Sequence, residues 1–481
     1  MTQRSCIRRS VRGAPALPGV GTLPGTACLL TAVFIALAAD PLAGQDPGQT
    51  DNLTLQECVS IAMERNPLLL SAREMYQASR ARIRQARALP QPSLDIDSDL
   101  QPGLTEFSGY GERYIGISQS LPFPGKTYLQ SRIAGEEANQ VMADSDLLGL
   151  EVAFQVKEAF YALLLAEAQL DYARQNLELT QDFVQMTELK FETGDVAQVE
   201  VVRARVEVAR AANQLRVAEN QERLARAGLN FLLGRVPSSP VSIQGELRIP
   251  VGSYDLEEIT GWALQDRPEV RKLTSAIERE RLVKRQGFMS YLPDFDVGAA
   301  KHRIPGEGET WDVTLSLALP VFFWQPARGE IAEADANLRS LQQEASNLAN
   351  AISLEVEEAY ASLTSTGDQI RLFEEDILAQ AEEVYQMYQF AYEQGEIGAM
   401  DLLEARRTLN DARTSYADAL YNYDVARAAI EKSIGRPLEE QQNGPDQDEV
   451  GIGDPSIPGA HSGGLQRQNR WQQRLRGRGS F

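Results

Sequence analysis

The sequence is poor in the residues that most enzymes use for catalysis. Its 481 residues include two histidines and three cysteines. It contains no nucleophile elbow, no phosphate-binding glycine loop and no spacing typical of metal ligands. Its acidic pairs fall instead at the spacing of helix faces. An enzyme is therefore not expected, and neither a cofactor nor a bound metal is predicted.

Basic and aromatic residues are also scarce. The formal net charge is −21, and aromatic residues make up only 7% of the chain against 43% for all hydrophobic residues. Nucleic acid is not expected as a partner, because binding it requires a basic surface. The composition favours long helices packed through Ala, Leu and Val over a compact enzyme core.

Long apolar runs are absent beyond the N-terminus. Residues 29–39 (LLTAVFIALAA) follow a basic segment and precede small residues, and they are too short to span a bilayer. Residues 1–44 are therefore predicted to be a secretory signal peptide, with a buried N-terminal helix as the alternative. Cys28 precedes the apolar run, so a lipid anchor is not expected. If the mature chain enters a membrane, it must do so as β-structure.

The sequence repeats itself at a distance of about 200 residues. We infer two structural repeats, 53–237 and 254–437, followed by a disordered tail, 438–481. Five landmarks of the first repeat recur in order in the second: Asn66-Pro67 as Arg267-Pro268, Leu89-Pro90 as Leu292-Pro293, Leu121-Pro122 as Leu319-Pro320, Phe191 to Gly194 as Tyr392 to Gly395, and Gly234-Arg235 as Gly435-Arg436.

Each repeat is predicted to contain a short helix, a β-hairpin, a very long helix, a glycine-containing tip turn and a last helix. Apolar residues of the second long helix recur at steps of three and four, which is typical of a coiled-coil seam. A helix of that length measures about 100 Å. The predicted bounds are 54–88, about 92–121, about 127–191 and 197–233 in the first repeat, and 255–289, about 294–319, about 327–392 and 398–434 in the second.

The predicted hairpins alternate between apolar and polar residues. Leu94 and Ile96 point to one side, and Asp95 and Asp97 to the other. Alternating strands of about nine residues are typical of a membrane β-barrel with a water-filled lumen. A soluble β-domain is the alternative. The intervening loops are predicted at 101–112 and 302–310, the second of which contains His302.

Four strands cannot close a barrel, and an open edge in lipid leaves backbone groups unpaired. The chain must therefore oligomerise if the strands are in a membrane, and three copies supply twelve strands. Aromatic residues at the junctions between hairpin and long helix indicate a membrane interface, with ordinary packing as the alternative. They are Phe123, Phe322, Phe323 and Trp324.

These features together resemble the TolC family of outer-membrane efflux proteins. The resemblance is carried by residues 53–67 (LTLQECVSIAMERNP), 191–203 (FETGDVAQVEVVR) and 392–406 (YEQGEIGAMDLLEAR), and it covers about 53–437. Residues 121–127 (LPFPGKT) further resemble the branch that works with heavy-metal or cation efflux pumps of the RND type.

The resemblance implies a mainly α fold with a small β part. An internally duplicated α-helical barrel would cross the periplasm, and a transmembrane β-barrel with four strands per protomer would close only in the homotrimer. The chain would be the outer membrane channel of a tripartite efflux system, a passive duct for small molecules or metal ions. Its partners would be outer membrane lipid, a periplasmic adaptor and an inner-membrane pump of RND or ABC type.

The resemblance also assigns candidate site residues. Gly194 and Gly395 allow a positive φ in the tip turns, where the family's adaptors dock. Asp401 and Glu404 share one helix face and would line the periplasmic aperture. The family's locking Arg is replaced here by Glu396, and its acidic partner is Glu200. Two acids cannot form that bridge, so this lock is in doubt.

Two other functions stay open on the sequence alone. The channel of a type I protein secretion system would have the same features, because the inner-membrane partner selects the cargo. A periplasmic coiled-coil scaffold without a pore would share the long helices, but it would not require matching hairpins in both repeats. The sequence names no exported substrate.

Overall fold

The computed structural model describes residues 52–99, 112–247, 254–304, 306–318 and 326–438. The predicted signal peptide, the predicted tail beyond Leu438 and three of the junction aromatics (Phe322, Phe323 and Trp324) lie outside these ranges. Among the described residues, no helix is long and apolar enough to cross a membrane.

The described elements follow the predicted order in both repeats. The strands are β1 (Asn52–Leu53), β2 (Ser93–Asp99), β3 (Glu112–Leu121), β4 (Ser242–Ile243), β5 (Phe295–Ile304) and β6 (Gly308–Leu317). The helices are α1 (Leu55–Arg65), α2 (Pro67–Arg87), α3 (Lys126–Thr193), α4 (Gln198–Leu232), α5 (Leu256–Asp266), α6 (Pro268–Met289), α7 (Pro326–Leu372), α8 (Leu378–Glu393) and α9 (Ala399–Ile434). A π-helical segment, Phe373–Ile377, joins α7 to α8.

The prediction of one short helix at the start of each repeat is wrong, because each is broken in two. Asn66 is extended, with φ −63° and ψ 123°, and its side chain accepts a hydrogen bond from the N–H of Leu68 at 2.9 Å. Pro67 follows as the first residue of α2, where its missing N–H costs nothing. Arg267, with φ −62° and ψ 135°, is also extended, and Pro268 is the first residue of α6, but the Arg267 side chain makes no capping hydrogen bond. A residue before proline avoids the helical region, which explains both breaks.

The long helices are built as predicted for a coiled coil. Helix α3 has 68 residues, which corresponds to about 100 Å. On α7, the seam positions Ile352, Val356, Leu363 and Ile370 are buried against Ala419, Tyr423, Ala426 and Ile430 of α9. The π-helical segment inserts extra residues without ending the helix, so α7 and α8 together correspond to the predicted long helix.

Each repeat has an apolar core where its short helices meet its long ones. In the first repeat, Cys58 and Ala62 of α1 pack with Val156 and Phe160 of α3 and with Leu229 of α4. The second core contains Ile259 and Ala263 of α5 together with the seam between α7 and α9. A two-residue parallel pair, β1 with β4, joins the start of the first repeat to the segment that follows its end.

The four long strands form one antiparallel sheet in the order β2-β3-β5-β6. The central pair, β3 with β5, joins the two repeats, and β2 and β6 are the edges. The predicted loop at 302–310 is wrong in extent: the β5–β6 pairing continues to Ile304 opposite Gly308, so His302 lies within β5. The alternation of apolar and polar residues does not locate the end of β5, because Lys301, His302 and Arg303 are all polar.

Candidate functional site at the helix tips

The two tip turns connect α3 to α4 and α8 to α9. Gly194 has φ 85° and Gly395 has φ 80°, which confirms the predicted left-handed conformation at both. The N–H of the residue after each glycine bonds back to the helix, from Asp195 to the carbonyl of Lys190 at 2.8 Å and from Glu396 to Ala391 at 2.9 Å. Their role as docking points for an adaptor stays a prediction.

An apolar cluster just behind the turns packs the two helical hairpins against each other. It draws residues from α3, α4, α8 and α9, and its members are Phe183, Ala204, Tyr392, Ala399, Leu402 and Leu403. Because the cluster spans both repeats, the position of one tip depends on that of the other.

Lys190 and Tyr392 hold this cluster together from opposite hairpins. The Lys190 Nζ donates to the Tyr392 carbonyl oxygen at 2.8 Å and lies 4.1 Å from the centroid of the Tyr392 ring. The ring also contacts Phe183 with a centroid separation of 5.6 Å. The sequence analysis did not identify this pair, although Tyr392 begins one of the repeated landmarks.

The predicted aperture acids lie together on an exposed face of α9. Asp401 and Glu404 are both exposed, whereas Leu402 and Leu403 between them are buried. The Asp401 carboxylate accepts a hydrogen bond of 3.3 Å from the N–H of Gly398 at the start of the helix. The side chain of Glu404 is 75% exposed. Its Oε2 lies 3.8 Å from Nη1 of Arg407, one turn further along α9. Both carboxylates remain exposed to solvent, and their role in an aperture stays a prediction.

The other two predicted aperture residues provide no cation. Glu396 is exposed beside the second tip. Glu200 lies in the first turn of α4 and is half-buried, and its Oε2 has no hydrogen-bond partner among the described residues. An acid at each position gives no means of forming the acid–Arg bridge that the family uses.

Two arginines of α9 supply contacts that the sequence analysis missed. Arg407 bonds through Nη2 to Glu207 Oε1 of α4 at 2.7 Å, and this carboxylate raises the pKa of the guanidinium. Arg406 is buried and donates to Asn176 Oδ1 at 2.6 Å and to Thr180 Oγ1 at 2.5 Å on α3. Both contacts cross from one repeat to the other. Their signal in the sequence is only an Arg-Arg pair after the second tip.

The described junction aromatic, Phe123, packs between the first long helix and the second hairpin. Its ring stacks on Phe295 with centroids 6.1 Å apart. Its N–H donates to Asp294 Oδ1 at 2.7 Å, and Lys126 Nζ donates to the same oxygen at 2.8 Å. The segment 121–127 therefore ties the two repeats together. A position of Phe123 at a membrane interface stays a prediction.

No group of three or more His, Cys, Asp and Glu side chains in the described ranges is arranged to hold a metal ion. The single cysteine in these ranges, Cys58, is buried, and burial raises the pKa of its thiol to about 11. A thiol of that kind is inert as a nucleophile.

Two curated proteins are similar to this chain over most of their length. The cobalt-zinc-cadmium resistance protein CzcC of Cupriavidus metallidurans is 25% identical over 388 residues, which cover 80% of this chain and 90% of that protein. Nodulation protein T of Rhizobium leguminosarum bv. trifolii is 23% identical over 411 residues, covering 81% and 84% of the two chains.

Solved outer-membrane channels share the fold. CusC superposes with a TM-score of 0.67 at 17% identity, covering 82% of this chain and 96% of that one. The CmeC outer membrane channel of Campylobacter jejuni gives 0.66 at 17% identity, with coverages of 81% and 87%. The sequence model described as outer membrane efflux protein matches residues 58–235 and 261–436. This chain belongs to the outer membrane efflux protein family.

Proposed function

We propose that this chain is one subunit of a homotrimeric channel in the outer membrane that exports substrate passively from a periplasmic helical tube. The observation that carries the proposal is the four-stranded sheet with two open edges, β2 and β6. Unpaired edge groups are costly in lipid, so each sheet requires neighbours. If β6 of one subunit pairs with β2 of the next, three subunits close a ring of twelve strands.

The two faces of the sheet support this arrangement. One row across the strands contains Leu94, Ile117, Ala299 and Val313, and the next contains Asp95, Gly116, Ala300 and Asp312. In the apolar row, Val313 is 80% exposed. An exposed apolar face that extends across four strands is unfavourable in water and is suited to lipid. The acidic row on the opposite face is suited to a water-filled lumen.

The first repeat also has an exposed apolar stripe suited to a neighbouring subunit. On α4, exposed apolar residues recur at steps of three, four, eleven, seven and seven, which return to about the same face of the helix. In the described chain they have no partner helix, and a second copy is the partner we propose. They are Val199, Val202, Val206, Val217, Leu224 and Phe231.

We further propose that the cargo is a heavy-metal cation, delivered by a periplasmic adaptor and an inner-membrane pump of RND type. The similarity to CzcC, a protein named for cobalt, zinc and cadmium resistance, supports this cargo. The acidic groups proposed to line the duct, Asp95, Asp312, Asp401 and Glu404, also favour cations over anions.

Two measurements test the proposal in separate steps. Membranes that contain the protein are washed with carbonate, extracted in detergent, and analysed by native mass spectrometry and planar-bilayer conductance. We expect a trimer that requires detergent and that conducts ions. Release by carbonate as a monomer without conductance would indicate the pore-less scaffold instead.

The cargo is tested by deleting the gene and measuring growth inhibition by zinc, cobalt and cadmium salts, with hydrophobic drugs as the comparison. We expect sensitivity to the metals that is restored by the gene on a plasmid. Sensitivity to drugs alone would contradict the proposed metal cargo but not the proposal that the chain forms a channel.

A further inference from the structure

Helix α2 has an exposed basic face in a chain that is acidic as a whole. The helix contains five arginines and one glutamate, whereas the formal net charge of the chain is −21. Four of the arginines follow one another at steps of seven, four and three, so they lie on one face of the helix. This arginine stripe, whose members are all exposed, consists of Arg73, Arg80, Arg84 and Arg87.

The contacts that the structure describes for the arginine stripe are made with uncharged groups. Arg73 donates from Nη2 to the Met63 carbonyl oxygen at 2.8 Å. The Arg80 guanidinium lies 5.9 Å from the centroid of the Tyr76 ring. Neither contact supplies a negative charge, so the positive charge of the stripe is available to an anion from outside the chain.

The equivalent helix of the second repeat, α6, shows the contrast. Arg281 occupies the position of Arg80 and lies 3.3 Å from a carboxylate oxygen of Glu278. Lys284, further along the same helix, pairs with Asp335 of α7 at 2.7 Å. Cations on α6 are therefore neutralised within the chain, whereas the duplicated position on α2 keeps its charge exposed.

The arginine stripe ends beside the sheet. Arg87 is the last residue of α2, and β2 begins at Ser93, so the extended chain between them spans at most about 20 Å. Arg80 lies about 10 Å below Arg87 along the helix. Leu89, in the connecting segment, is 56% exposed, and Leu94 begins the apolar face of the sheet. If that face lies in lipid, the stripe is at the depth of the headgroups.

We propose that the arginine stripe binds the phosphate groups of anionic phospholipids, in the leaflet of the outer membrane that faces the helices. A guanidinium group can pair with two phosphate oxygens at once, and basic residues beside a membrane attract anionic headgroups. Leu89 lies between the stripe and the apolar face, where it contacts the edge of the acyl layer. This inference rests on the proposed placement of the sheet in lipid, and it adds the class of lipid and the residues that select it.

The test uses the purified full-length protein in detergent, to which phosphatidylglycerol or phosphatidylcholine with the same acyl chains is added. Native mass spectrometry counts the lipids bound to each trimer. In about 50 mM salt, the natural protein should bind phosphatidylglycerol about tenfold more tightly than phosphatidylcholine. In about 0.5 M salt this preference should nearly disappear, because salt screens exposed charges.

A triple variant, Arg80→Gln with Arg84→Gln and Arg87→Gln, removes most of the stripe and should reduce the preference to about twofold. A control variant removes the same charge from exposed positions on other helices. Two of its positions lie about 70 Å along α3 and α7 from the sheet, and the third lies just past the first tip. The control, which should keep the full preference, is Arg174→Gln with Arg203→Gln and Arg371→Gln.

Three results would overturn the inference. The natural trimer could bind both lipids equally, or its preference could be independent of salt. The preference could survive in the stripe variant. The stripe variant could also lose the trimer in detergent without lipid, which would assign the arginines to a contact between subunits. Failure of the membrane placement itself is a different result, because the protein would then be released by carbonate as a monomer.

Discussion

Lys190, three residues before the end of α3, donates its ammonium group to the backbone carbonyl of Tyr392 and lies over the same residue's ring, 4.1 Å from its centroid. Tyr392 belongs to the opposite helical hairpin and is only 2% exposed. One charged side chain therefore links the tips of the two repeats at two points. Glu396, which occupies the position of the family's bridging Arg, follows Tyr392 by four residues.

Replacing Lys190 by Met should loosen the two tips. The change removes a cation–π contact and a charge-assisted hydrogen bond, worth about 1–3 kcal/mol together. If the proposed duct is closed at its tips, the open-to-closed ratio in planar bilayers should rise about tenfold.

Two control variants separate the contact from the charge. Lys190→Arg keeps a cation and donors and should conduct nearly as the natural protein does. Lys272→Met removes an equally charged residue whose ion pair, with Asp144, lies away from the tips. An open-to-closed ratio that increases equally in Lys272→Met would show that net charge, and not the contact between Lys190 and Tyr392, controls the tips.

The acids past the second tip should control ion preference. Substituting both Asp401→Ala and Glu404→Ala removes two carboxylates per subunit, six in a trimer, from the proposed aperture. Cation preference should fall, because a ring of carboxylates raises the local cation concentration. The measurement is the reversal potential across a bilayer with a salt gradient.

A matched double variant, Glu375→Ala with Asp376→Ala, removes the same charge from the exposed π-helical segment. It should leave the reversal potential unchanged. An identical shift in both double variants would assign the preference to total charge and remove the aperture ring.

Periodicity was enough to predict the long helices, the tip turns and the alternation of the strands. Ile352, Val356 and Leu363 are buried because steps of three and four return to one helix face. Gly194 and Gly395 adopt the backbone geometry that the turns require. The breaks at Asn66 and Arg267 could also have been predicted, since each precedes a proline.

The contacts between the repeats could not be predicted in the same way. Phe191 and Tyr392 occupy equivalent positions of the duplicated turn, yet Phe191 is 43% exposed and Tyr392 is 2% exposed. The difference arises from the packing of one hairpin on the other, which a local pattern does not encode. The contacts of Lys190, Arg406 and Arg407 between the repeats were missed for the same reason, because each joins residues at least 200 positions apart.

The face of the sheet should determine the effect of a charged substitution. Leu315 belongs to the apolar face and is 65% exposed, whereas Ser316 points to the polar face. If the apolar face meets lipid, Leu315→Arg should cost about 2–4 kcal/mol and reduce the yield of assembled trimer. Ser316→Arg should assemble normally and lower single-channel conductance. Equal assembly of the two variants in outer membrane fractions would argue against the proposed orientation.

Two glycines with positive φ should differ sharply in their tolerance of a side chain. Gly194 has φ 85° and open space where a Cβ would lie, so Gly194→Ala carries only the backbone cost of about 1 kcal/mol. Gly234 has φ 69°, and its Cβ would come within 2.7 Å of the Arg65 carbonyl oxygen. Gly234→Ala should therefore cost about 1–3 kcal/mol more, because that backbone must shift.

This backbone cannot yield easily, because it forms the break between α1 and α2. Asn66, the next residue, donates from Nδ2 to the Leu232 carbonyl at 2.9 Å and caps α2 through Leu68. Moving Arg65 away from Gly234 disturbs both bonds. Thermal unfolding of the detergent-solubilised protein should thus show a clearly lower midpoint for Gly234→Ala than for Gly194→Ala. Equal midpoints would mean that the junction relaxes freely and that Asn66 does not fix the end of α4.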